Sequence, residues 1–208
     1  MNGMRQALRP YIGSFQWQGD PVEGVYELLS HHGRFDIVAH EQAVARTARR
    51  IAAAYGIGGE KIELAAALHD VSAIIPDSER LKVAAALDIP MLKEERQVPL
   101  LLHQKLSAVI AREWLNITDG EVLSAVACHT TLKAGASPLD LLLFIADKLS
   151  WDRPGEPPYR QAMERALTRS MEEAALCYLR HLLYDPELLA PHPWMMRAFR
   201  ELSACCEQ

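Results

Sequence analysis

Five positions in this chain of 208 residues carry an imidazole or a carboxylate where helical periodicity expects an apolar side chain. His40 lies four residues before Val44, and His69 lies three and seven residues after Ala66 and Ile62. His103 precedes Leu106 and Ile110 by three and seven, and His129 follows Val126 and Val122 by the same steps. Asp147 follows Phe144 and Leu143 by three and four, on a stretch with no polar face. Residues at these spacings share a helix face, so all five side chains aim inward. A lone inward histidine is usually a hydrogen-bonded core residue. Asp70 and Asp147 are harder to place, because each falls in the last turn of its expected helix, where the macrodipole is already negative. A buried carboxylate needs a cation, and a divalent ion held by His40, His69, Asp70 and Asp147 would relieve both costs. Neighbours such as His69 and Asp70 point about 100° apart on a regular helix and converge only where it ends. Mixed nitrogen and oxygen ligation suits Fe, Mn, Zn, Co or Ni, with Mg less natural because of the imidazoles. Such an ion lowers the pKa of bound water and polarises a phosphoryl group.

Helices must position these groups, since alternating Val/Ile/Thr runs are scarce and helical periodicity is frequent. The spacing predicts a short helix over 21–31, then helices over about 40–55, 60–71, 78–87, 103–115 and 120–131. Gly56 stops the first of the longer ones. Ser137 starts the very apolar LDLLLFIAD helix, which reads as buried all round, and 151–158 is a loop. One long helix is expected over 159–184, then a tail with three prolines and a short helix. The fold class is all-α, a bundle of about eight helices with no sheet. The expected division is an N-terminal extension (1–34), a core (35–155) and C-terminal helices packed on it (156–208).

Composition narrows the function. Half of the residues are hydrophobic, enough for a full core, and the net charge of −5 is not that of a nucleic-acid polymer binder. The four cysteines, Cys128, Cys177, Cys205 and Cys206, form no CxxC pair and read as reduced thiols. MNGMRQALRPYIGSFQW lacks the apolar region of a signal peptide, and no apolar run reaches the ~20 residues of a membrane span. The expectation is a cytoplasmic protein with no membrane partner. His31 and His32 read as surface or loop residues, His181 and His192 have no metal-partner spacing around them, and KEER (93–96) reads as a solvated face. Trp194, Met195 and Met196 read as a packing lid or a homodimer contact.

The order His40 … His69-Asp70 … Asp147 resembles the H…HD…D signature of the HD-domain superfamily of metal-dependent phosphohydrolases. AAALHD (65–70), PLLLH (99–103), HTT (129–131) and IADKLSWDR (145–153) resemble more closely the YqeK family of symmetrical diadenosine tetraphosphate hydrolases. The resemblance implies an HD-domain helical bundle with extra terminal helices. It implies one or two divalent metals on His40, His69, Asp70 and Asp147, with iron first. His103 and His129 match histidines facing the substrate phosphates or a second metal, and Thr130 and Arg153 match residues near the nucleotide. Asp70, His103 and His129 would be catalytic, with Lys133 and Arg153 neutralising the polyphosphate. The implied reaction splits diadenosine tetraphosphate into two ADP.

The chain departs from that family at four places: Ile37 stands for an arginine, Ala73 for a lysine and Leu132 for a glycine, and Ser150-Trp151 for a Glu-Pro pair. Lys105, Lys133 and Lys148 are candidates for replacement charge or ordinary surface lysines. Three alternatives stay open. One is an HD phosphatase of another nucleotide (a mononucleotide, dNTP or alarmone). Another is an idle metal- or nucleotide-binding module. The third is a helical structural protein with core histidines.

Overall fold

The computed structural model describes residues 3–13, 15–151 and 154–206. Among these, twelve α-helices and three short 3-10 turns occur, and no strand. The helices are α1 (Gly3–Ile12), α2 (Pro21–His31), α3 (Phe35–Tyr55), α4 (Gly59–Leu68), α5 (Arg80–Ala86) and α6 (Lys93–Gln97). They continue with α7 (His103–Glu113), α8 (Gly120–Cys128), α9 (Pro138–Leu149), α10 (Arg160–Leu167), α11 (Met171–Leu183) and α12 (Pro193–Cys206).

Local chemistry sets most boundaries. Asp20 caps α2 by accepting from the Val22 amide at 2.8 Å, with Pro21 in the first turn. Gly56 ends α3 in the left-handed region, at φ 67°. Ser137 and Asp140 form a reciprocal capping box at the start of α9, with amide bonds of 3.2 and 2.8 Å. The helix expected over 159–184 is two helices instead. Ser170 is extended (φ −160°, ψ 162°), and its hydroxyl accepts from the Glu173 amide at 3.0 Å, so it caps α11 and breaks the chain after α10. Helix α1 was also not expected; it buries Leu8 and Ile12.

The core centres on α9. Every residue from Leu139 to Ala146 is buried, because α3, α4, α8 and α11 surround this helix. A fully buried Leu or Ile contributes about 1.5–3 kcal/mol, so this apolar run anchors the bundle. Helix α1 lies against α5 and α7, α2 against α3 and α4, and α12 against α11. No helix among the described residues is long and apolar enough to cross a membrane.

One surface expectation fails. KEER is helical, and Glu95 within it is fully buried, paired with Lys105 at 2.7 Å and with His192 at 3.2 Å. His192, in the loop just before α12, is buried as the partner of Glu95. At the C-terminus Met195 is buried in the chain's own core, and the Lys105 ammonium sits 5.0 Å over the Trp194 ring.

Candidate metal centre

Five elements deliver the inward groups to one point. His40 projects from the second turn of α3, and Asp147 from the last turn of α9; His40 Nε2 and Asp147 Oδ1 are 3.1 Å apart. Helix α4 ends at Leu68, leaving His69 as its cap and Asp70 at φ −112°, ψ 16°. That loosening lets the two neighbours face the same space. His69 Nε2 is 3.6 Å from Asp70 Oδ2 and 4.0 Å from Asp147 Oδ1. His103 opens α7 and His129 caps α8, and their Nε2 atoms lie 3.5 and 3.6 Å from Asp70 Oδ1. Thr130 Oγ1 is 2.7 Å from His103 Nε2.

Three of the imidazoles are held the same way. His69 Nδ1 faces the Ala66 carbonyl at 2.7 Å, His103 Nδ1 faces Leu100 at 2.6 Å, and His129 Nδ1 faces Val126 at 2.8 Å. A carbonyl only accepts, so each Nδ1 carries the proton and each Nε2 presents a lone pair to the centre. Burial, more than any neighbouring charge, lowers the pKa of His69 and takes that of His103 down to about 4, which disfavours a second proton. Yet His103 Nε2 and His129 Nε2 are 2.9 Å apart, and the fully buried His69 Nε2 has no hydrogen-bond partner.

Lone pairs facing one another and two carboxylates require a positive charge. Burial pushes the carboxyls of Asp70 and Asp147 up, but their neighbours win. His69, His129 and His103 hold Asp70 well below the usual carboxylate range. Lys148 and His40 do the same for Asp147. The donor atoms of His40, His69 and Asp147 lie within 4.8 Å of one another, as do those of His69, Asp70 and His129. His69 belongs to both sets. The residues therefore fit a divalent ion, and the second set adds His129 as a possible ligand.

Other expected residues are placed differently. Lys133 is engaged elsewhere, with Ser124 Oγ at 2.5 Å and Asp140 at 3.3 Å, because its side chain follows α8 back toward the start of α9. Lys105 serves Glu95. Lys148 does reach the centre: its ammonium is 2.6 Å from Asp147 Oδ2, over the Phe144 ring. Arg153 lies outside the described residues. Leu132, where the resembling family has glycine, adopts φ 55°, the left-handed conformation that favours glycine, with its side chain fully buried.

The sequence missed three residues here. Gln104 is fully buried; its Oε1 accepts from the Thr130 and Thr131 amides at 3.1 and 3.3 Å, fixing the turn behind His129. Ser72 donates to the His103 carbonyl at 2.9 Å. Glu41 is fully buried one residue from His40, and burial, with the Asp70 charge adding, raises its pKa well above the usual carboxylate range. Gln104 and Glu41 each follow a histidine of the motif and Ser72 lies two residues after Asp70, and that closeness in sequence was the available signal.

An all-helical bundle that gathers these groups defines a class, and the chain belongs to the HD domain family, which it matches over residues 37–152. It is a hydrolase of that class. The "Uncharacterized protein in pepC 5'region" of Lactococcus lactis subsp. cremoris is 41% identical over 67% of this chain and 71% of its own length. A symmetrical bis(5'-nucleosyl)-tetraphosphatase of Halalkalibacterium halodurans is 30% identical over 73% of this chain and 82% of its own. In fold the chain is similar to an HD superfamily hydrolase from Clostridium acetobutylicum described as involved in NAD metabolism. The TM-score is 0.73, at 20% identity, over 97% of this chain and 96% of the other.

Proposed function

We propose that the chain is a metal-dependent nucleotide phosphohydrolase, and that its reaction is the symmetrical cleavage of diadenosine tetraphosphate into two ADP. The observation that carries this reading is the convergence of His40, His69, Asp70, Asp147 and His129, with lone pairs and negative charge inward and the Lys148 ammonium paired to Asp147 alone. Tetraphosphatase relatives support the choice of substrate. His40, His69, Asp70 and Asp147 would hold the ion, with iron the first candidate, and His129 available to the same ion or to a second. Bound there, a divalent ion supplies Lewis-acid polarisation of a phosphoryl oxygen and a water acidic enough to attack phosphorus near neutral pH.

The chain's own residues do the rest. The Leu100 carbonyl fixes the His103 ring so that Nε2 faces the centre. His103 is also the most open of the carbonyl-held imidazoles, with 15% of its side chain exposed, so its Nε2 lone pair is placed to accept a proton from the attacking water. Thr130 Oγ1 orients that Nε2, and the buried Gln104 keeps Thr130 in place. Hydrolysis assays on protein of measured metal content, across diadenosine tetraphosphate, dNTPs and mononucleotides, test the proposal. Two ADP released per diadenosine tetraphosphate is the expected result; turnover of mononucleotides alone would overturn it.

A further inference from the structure

Two arginines that play no part in the metal cage share a cavity with it. Arg34 precedes α3 and Arg80 opens α5; with Asp70, His103, Ile37 and Ala73 they line a space of about 370 Å³. Asp70 and His103 tie that space to the metal centre. Ile37 and Ala73 form apolar sides of this cavity. Both guanidiniums occupy the same cavity.

Each arginine is braced by its own neighbours. Arg34 donates to the Ala73 carbonyl at 2.6 Å and to Asp36 at 3.2 and 3.1 Å. Arg80 donates to the Leu100 carbonyl at 3.2 Å and pairs with Asp77 at 2.8 Å. Arg80 is nevertheless only 5% exposed, and its buried Nε has no hydrogen-bond partner. Each terminal nitrogen of Arg80 carries two N–H groups and spends one on Leu100 or Asp77, so an anion in the cavity would pair with the spare ones. The two guanidiniums also oppose each other: burial first, and Arg34 among the neighbouring charges, pull the Arg80 pKa down, while Asp77 and Asp70 offset them. An anion between them removes that repulsion.

We infer that Arg34 and Arg80 are the phosphate clamp of the substrate cavity, specific for a ligand with at least two linked phosphates. This rests on the reading of the centre as a phosphohydrolase. Arg80, deep and immobilised, holds the phosphate next to Asp70 and His103. Arg34, at the mouth, holds the next one. A guanidinium suits both tasks because it keeps its charge when braced and still has an unused N–H on each terminal nitrogen. A monophosphate reaches only one of the two, so mononucleotides are poor ligands.

The test is calorimetric titration of inorganic pyrophosphate into metal-loaded full-length protein, wild type against Arg34→Gln, Arg80→Gln and Arg80→Lys. Each Gln variant is expected to weaken binding about tenfold or more, with metal content unchanged, and Arg80→Lys to recover only part of the loss. Should Arg80→Gln fail to fold, Arg34→Gln decides alone, since its side chain is 34% exposed and supports no core. Wild-type affinity in Arg34→Gln, or in both Gln variants, overturns the clamp. Arginine-dependent pyrophosphate binding by a protein that cleaves no nucleotide upholds the clamp and overturns the hydrolase reading instead.

Discussion

Glu41 and His40 are neighbours with opposite electrostatics. His40 meets the ionised Asp147, whereas the Glu41 carboxyl is fully buried with no cation paired to it among the described residues. Its folded pKa is raised above the unfolded 4.5, chiefly by burial and then by Asp70. The folded state thus binds a proton that the unfolded state releases. The stability this confers is complete below about pH 4.5 and is lost as pH rises above it. Glu41→Gln keeps the neutral shape and removes the titration. In chelator-treated protein it is expected to raise the melting temperature at pH 7 while changing little at pH 4; equal effects at both values contradict the assignment.

The inward histidines were legible because their three- and seven-residue spacings put them on apolar stripes. Arg34, Arg80 and Glu41 were not, because charged residues near helix starts read as solvated ends. Lys133 misled for a related reason: it follows HTT in sequence, but the left-handed turn at Leu132 carries it toward Ser124 and Asp140.

Among the elements, caps decide where the candidate ligands stand. Asp147 lies ten residues past Ser137 on α9, so the capping box at that helix start sets the rotation and depth of the carboxylate. Ser137→Ala removes the side-chain acceptor for the Asp140 amide and is expected to cost about 1 kcal/mol of stability in denaturant unfolding, with metal still bound. No measurable loss would mean the box contributes nothing. The helix starts at Asp20, Asp119 and Ser137 could be read directly from the residue types. The break at Ser170 could not, because Met163, Leu167, Met171 and Ala174 keep a continuous stripe across it. Periodicity records which side faces the core; it is silent about a cap that interrupts the backbone without shifting that side.

For the whole molecule, the bundle brings residues more than a hundred positions apart, His40 and Asp147, to hydrogen-bonding distance. The all-helical class and the buried α9 followed from pattern alone. The order in which helices pack around α9 did not, since it depends on contacts between remote segments. The proposed reaction requires that the converged imidazoles and carboxylates hold a metal. Elemental analysis of purified wild type, His69→Ala and Asp147→Ala, each checked for native helicity, measures this directly. The account predicts at least one divalent ion per wild-type chain and almost none in either variant. A wild-type level of metal in both folded variants would contradict it.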